Sequence, residues 1–201
     1  GSSGRRHPPL IMGHEASGVI ARVGPRVERW RAGDRVTFDS TLYCGSCDYC
    51  RAGQVNLCDR RRVVGVSPVE YKQHGAFAEY VAVPASALVH IPAGVSYEQA
   101  AVVPCALGTA YHGLQKVAAV QPGEAVLITG ASGGVVIHAV QVARMLGART
   151  VAVTTSEAKR AFLVEHGADD VIVSPDLDFA AQARALTGGA GVDVVFNIVG
   201  Q

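Results

Sequence analysis

"EAVLITGASGGVVIHAVQVARMLG", residues 124–147, holds a strand, a glycine-rich turn and a helix in one run. "EAVLITG" is apolar and ends at Gly130, as a strand buried on both faces does. "GGVVIHAVQVARMLG" then suits a helix that stops at Gly147. Working outward, "RTVAVTT" (149–155) is the next strand and "SEAKRAFLVEHG" (156–167) the next helix, with Ser156 as its expected N-cap. "DDVIV" (169–173), "DFAAQARALTG" (178–188) and "VDVVFNIVG" (192–200) continue as strand, helix and strand, and "ALGTAYHGLQKVA" (106–118) precedes them as a helix. Strands alternating with helices imply βαβ units and a parallel sheet.

The rhythm before about residue 100 is different. "SGVIARVG" (17–24), "GDRVTFDS" (33–40) and "AFAEYVAVP" (76–84) are short runs closed by turn residues, and no helical period persists there. This half reads as a small, irregular β-barrel. A domain boundary is expected between residues 103 and 104.

Four of the five cysteines, Cys44, Cys47, Cys50 and Cys58, lie in "YCGSCDYCRAGQVNLC" (43–58). Two disulfides or one metal site would both use four thiols. Disulfide frameworks belong to small secreted domains without a core. Here 49% of the 201 residues are hydrophobic, the cysteine count is odd, and no export signal is evident. Two-residue gaps aim thiolates at one tetrahedral ion, so a structural zinc is the expectation. Such a closed site leaves no position for substrate. The same features place the protein in the cytoplasm as an expectation.

Lys and Arg number 18 against 17 Asp and Glu, which gives no electrostatic reason to expect nucleic acid or an anionic membrane. No run approaches the length of a membrane span. Arg60, Arg61 and Arg62 read as a solvated loop.

The turn "GASGGVV" (130–136) stands where a dinucleotide's pyrophosphate meets a helix N-terminus, with Ala131, Ser132, Gly133, Gly134 and Val135 forming it. The strict G-x-G-x-x-G pattern is absent. Val136 occupies the third glycine position, where a branched side chain is expected to hold the helix off the sheet. The second strand ends in Thr154, Thr155 and Ser156, with Lys159 a turn later and no carboxylate at the strand end. Small hydroxyls and a cation suit the 2′-phosphate of NADP better than the bare hydroxyl of NAD, although Lys159 also reads as an ordinary solvated side chain.

Together "GHEASGVIARVG" (13–24), "GDRV" (33–36), the cysteine lobe, "HGAFAEYVAVP" (74–84) and "GASGGV" (130–135) resemble the medium-chain zinc-dependent alcohol and polyol dehydrogenases. The resemblance implies an α/β chain with a partial GroES-like barrel and a partial Rossmann doubly wound parallel sheet, with substrate in the cleft between them. It implies hydride transfer between an alcohol or carbonyl substrate and NAD or NADP. It implies a catalytic zinc held by His14 and Cys105, with Glu15 beside it as a second-shell or exchangeable ligand. It also implies that Thr109 packs on the nicotinamide, and that Val199 belongs to the cofactor set. By themselves, His14 reads as an ordinary surface or core residue and Cys105 as an inert buried thiol.

The family's upstream catalytic cysteine and the hydroxyl after it have no counterpart before His14, and the last Rossmann strands have none after Gln201. The chain is therefore expected to be a fragment that turns over no alcohol by itself. "GSSGRRHPP" (1–9) reads as native loop rather than a cloning remnant. An unpaired sheet edge is expected to drive self-association into a homo-oligomer. Two further readings stand beside the dehydrogenase: a zinc-independent quinone or enoyl reductase, and a non-catalytic zinc-stabilised interaction module.

Overall fold

The computed structural model describes residues 7–68 and 70–199. The chain divides between Cys105 and Ala106 into two compact units.

In the second unit, β6 (Ala125–Thr129), β7 (Arg149–Thr154), β8 (Asp170–Val173) and β9 (Val194–Phe196) form one parallel sheet in the order β8-β7-β6-β9. Ile128 stands opposite Ala152 on one side and Phe196 on the other. Side chains alternate between the faces, as the pleat requires. Val126, Ile128 and Ala152 enter a core that also contains Val136, Ala139, Val140 and Ala143 of α4 (Gly134–Met145), Leu163 of α5 (Arg160–Glu165) and Ala110 of α3 (Gly108–Tyr111). Leu127, Val151, Val153 and Ile172 enter a second core with Ala183 of α6 (Ala180–Leu186). Every residue of β6 is buried. The sheet grows from β6 through β7 to β8, then the chain returns to the opposite side of β6 as β9. The reversal point lies between β6 and β9, where doubly wound sheets bind ligands at the strands' C-terminal ends.

Three details of this unit depart from expectation. The helical stretch at 106–118 is not uniform: π-helical segments at Val103–Leu107 and His112–Val117 flank α3. Pro104 lies in the first, where its missing N–H disrupts α-helical bonding. In the second, a Cβ on Gly113 would stand 2.8 Å from the Phe196 ring of β9. Ser156 does occupy an N-cap position, but its side chain makes no capping bond. The chain first makes a 3-10 turn, Glu157–Lys159, and only then α5. Val136 is 1% exposed and shares the core with the strands. Its bulk is absorbed by packing rather than left as a wedge.

In the first unit, β1 (Ser17–Val19), β2 (Arg35–Phe38) and β5 (Leu88–His90) form an antiparallel sheet, and β3 (Thr41–Leu42) pairs with β4 (Arg62–Val63). Phe38, Leu42, Val64 and Ala87 are its core, and Val81 and Val83 pack against them. The expected strand at 76–84 does not form. Its first residues are held by Met12 and Gly13 carbonyls, while Phe77 and Tyr80 are exposed. Residues 78–83 line an open cavity of about 1000 Å³ shared with 16–24, and no strand among the described residues pairs with them. The helix α2 (Tyr97–Val102) was not expected in this half. Its signal is the pair Ser96 and Gln99. The Ser96 hydroxyl accepts the Gln99 N–H (3.2 Å), and the Gln99 side chain accepts the Ser96 N–H (3.0 Å). The helix is tied to β1 by the Ser17 hydroxyl, which donates to the Tyr97 carbonyl (2.6 Å).

No helix among the described residues is long and apolar enough to cross a membrane. Ile128→Ala removes a fully buried side chain and should lower unfolding free energy by about 2–5 kcal/mol, whereas Ser96→Ala should cost about 1 kcal/mol. Urea titration followed by circular dichroism checks both.

Candidate functional site

The cysteine lobe is held open by its own backbone. The short helix α1 (Asp48–Arg51) starts at Cys47 and brings Cys50 back toward Cys44. The Cys44 and Cys50 sulfurs lie 3.9 Å apart. That is far beyond an S–S bond and close to the edge, about 3.8 Å, of a zinc tetrahedron with 2.3 Å bonds. The four sulfurs all lie within 4.8 Å of one another. All four cysteines are free. The Cys44 sulfur accepts N–H bonds from Ser46 and Cys47, both 3.4 Å, and the Cys58 sulfur accepts the Cys44 N–H at 3.3 Å. Those donors, Ser46 first, draw the Cys44 thiol down to about 5. Burial and then the neighbouring thiols push Cys50 up to about 12. Four thiols this close resist ionising together, and a divalent cation removes that conflict. The donor set fits a structural zinc. Arg60 donates to the Ser46 hydroxyl and Arg61 to the Asn56 carbonyl, both at 2.6 Å, so these guanidinium groups are engaged by the lobe itself.

The glycine turn lies at the C-terminal end of β6. Gly130 has φ +63°, a conformation that favours glycine, and a Cβ there would also stand 3.0 Å from Val199. Gly133 is the N-cap of α4, and a Cβ on it would meet Val136 at 3.1 Å. Beside Gly134 there is open space. No side chain caps α4. The first-turn N–H groups of Gly134, Val135 and Val136 therefore have no partner within the helix and face a bare glycine backbone. This arrangement fits a pyrophosphate. Ala131 is buried and donates its N–H to the Val153 carbonyl (3.1 Å), which pins the turn to β7, while Ser132 is partly exposed. Thr109 is exposed on α3, which packs beside α4.

Asn197 belongs to the same region and was not anticipated. Its side-chain oxygen accepts from the Thr129 hydroxyl (2.8 Å) and from the Val199 N–H (2.9 Å), joining the ends of β6 and β9 beside the turn. A polar residue just past an apolar strand, opposite the turn, is the signal that would have marked it.

His14 and Glu15 follow a close backbone contact that sequence reading missed. Gly13 has φ +92°, and a Cβ on it would run into the Phe77 ring. A Cβ on Gly65 would stand 2.5 Å from the Gly13 carbonyl oxygen, and one on Gly75 would stand 2.3 Å from it. The Gly75, Ala76 and Phe77 N–H groups donate to the carbonyls of Ile11, Gly13 and Met12. Cys105 lies near Glu15, 90 positions away in the chain. Burial, then the carboxylates of Glu15 and Asp39, raise the Cys105 thiol. Asp39 is a further residue that no motif indicated. Among the described residues no third His, Cys, Asp or Glu joins Glu15 and Cys105 with all donor atoms within 4.8 Å, so His14 does not close a three-donor metal site with them.

These features describe an α/β protein with a glycine turn that fits a pyrophosphate and a four-cysteine lobe that fits zinc. Two family profiles match: an alcohol dehydrogenase GroES-like domain over residues 1–93 and a zinc-binding dehydrogenase over 134–201. The chain belongs to the medium-chain dehydrogenase/reductase superfamily, a family of oxidoreductases. It is 43% identical over 194 residues to an acryloyl-coenzyme A reductase of Metallosphaera sedula, covering 96% of this chain and 54% of that protein. It is 43% identical over 190 residues to an alcohol dehydrogenase of Geobacillus stearothermophilus, covering 93% and 54%. Among solved structures, a zinc-binding dehydrogenase from Sinorhizobium meliloti 1021 bound to NADP matches with TM-score 0.82 and 32% identity, over 95% of this chain and 54% of that one. The chain spans about half the length of the relatives it matches.

Protein made with zinc under reducing conditions should carry one lobe zinc per chain by mass spectrometry, and Cys50→Ser should lose it. Zinc binding must displace the Cys50 proton at neutral pH, whereas Cys44 is already ionised there. Affinity should therefore rise with pH through neutrality and fall further below about 5, as a competition assay would show. Gly75→Ala forces the Met12–Gly13 backbone aside. It should cost about 1–3 kcal/mol and shift the His14 ring resonances.

Proposed function

We propose that the whole protein transfers hydride between NAD(P) and an alcohol or polyol, and that this chain supplies the cofactor turn and the zinc lobe. The observation that carries the reading is the uncapped start of α4 behind a glycine turn at the sheet's reversal point. In this reading the Gly134 and Val135 N–H groups bind the pyrophosphate, and Gly133 lets it approach. Thr109 packs on the nicotinamide and fixes which face is presented. Val199 and Asn197 hold the floor of the turn. His14 and Cys105 are proposed ligands of a second zinc, with Glu15 beside them. Such an ion would polarise the substrate oxygen, but these residues alone do not complete its donor set. Reduced thiols suit a cytoplasmic setting.

A second reading is favoured by the likeness to acryloyl-coenzyme A reductase: hydride addition to the carbon–carbon double bond of an unsaturated acyl thioester.

The two separate in one assay of the whole protein with NAD(P)H. Aldehyde and ketone reduction that stops after selective removal of the second zinc supports the first. Reduction of acryloyl-CoA that survives this removal supports the second. Absence of cofactor binding would overturn both. Residues 1–201 should bind NAD(P)H, as cofactor fluorescence would show.

A further inference from the structure

We infer that Arg60 acts on the cysteine lobe through Ser46: its guanidinium turns the Ser46 hydroxyl onto the Cys44 sulfur and makes that sulfur the guarded one of the four. The inference rests on the reading of Cys44, Cys47, Cys50 and Cys58 as ligands of one metal ion, and it adds a positioning pair that lies outside the ligand set.

Ser46 stands between Cys44 and Cys47, and Arg60 follows Cys58, so the two come from opposite ends of the lobe. Arg60 Nη2 donates to Ser46 Oγ at 2.6 Å. Ser46 Oγ donates in turn to Cys44 Sγ at 3.7 Å. The direction follows from the chemistry of the two groups. A guanidinium carries only donors, so it occupies a lone pair of the hydroxyl oxygen. The hydroxyl's one proton is then left for the sulfur. A positive charge on the far side of the oxygen polarises the O–H bond and strengthens its contact with a thiolate.

Ser46 is held at its backbone as well. Its N–H donates to the Cys44 sulfur at 3.4 Å, and its carbonyl accepts from Arg51. Arg51 is paired with Asp48, whereas Arg60 forms no ion pair among the described residues. The charge that reaches the lobe through Ser46 is therefore not cancelled by a carboxylate. With the Cys47 N–H at 3.4 Å, the Cys44 sulfur receives one hydroxyl and two N–H groups. Among the described residues no other sulfur of the lobe accepts from a hydroxyl. Each donor draws electron density from a thiolate, and a thiolate drawn down in this way is a poorer nucleophile.

Two measurements on residues 1–201 test the inference. The first loads the chain with cobalt(II) in place of zinc and reads the sulfur-to-cobalt charge-transfer band. The second alkylates the zinc-loaded chain with iodoacetamide and follows each cysteine by mass spectrometry. Ser46→Ala should move the band to longer wavelength and speed Cys44 alkylation at least about threefold relative to the other three cysteines. Arg60→Ala should act in the same direction on both, by less. Ser46→Thr keeps the hydroxyl and should restore the unmodified pattern. A band and a Cys44 rate that stay put in both alanine variants would overturn the inference and leave the metal site standing. So would an acceleration shared equally by all four cysteines, because a merely loosened lobe produces it. Failure of the unmodified chain to bind either metal would overturn the site and the inference together.

Discussion

β6 has water on neither face, and the second unit follows from that constraint. A strand buried on both sides cannot alternate apolar with polar residues, so "AVLIT" is nearly continuous. Its odd and even side chains need separate cores, which α4 with α5 and α6 provide from opposite sides. A strand so enclosed exposes chemistry only at its ends. The glycine turn, Asn197 and Val199 gather at one of them.

This dependence explains why the second unit was legible in the sequence and much of the first was not. Buried strands, helix periods and a turn are local signals, each carried within a short run of neighbouring residues. The first unit uses strands of two to four residues, whose identity comes from distant partners. "AFAEYVAVP" has the composition of a strand, but residues 78–83 lie along a cavity without a ladder partner. α2 was legible in principle from Ser96 and Gln99, yet six residues are too short to establish a period. Val136 misled because a glycine pattern describes what a helix tolerates at ideal spacing, whereas this core has room for a branched side chain. The lobe's spacing named its four sulfurs. The proximity of Cys105, Glu15 and Asp39 has no spacing signature, because three separate segments contribute to it.

The two kinds of cysteine show how backbone and neighbours divide one chemistry. Cys44 is surrounded by N–H groups that favour a thiolate, so its segment is prepared for a cation before one arrives. Cys105 is partly buried and lies near two carboxylates, which together favour the neutral thiol. Neither difference is visible in the residue type. Both come from which groups the surrounding loops turn toward the sulfur.

The contact among Gly13, Gly65 and Gly75 is made by atoms that are missing. Neither Gly65 nor Gly75 has a functional group, and each touches the segment before His14 only with its backbone. The geometry there is nonetheless as exacting as at a ligand, because any side chain at all would intrude. A map of tolerated replacements along the chain would mark these glycines as sharply as the cysteines of the lobe. Intolerance at such places measures clearance, and only a probe of the bound ion or cofactor distinguishes it from chemistry.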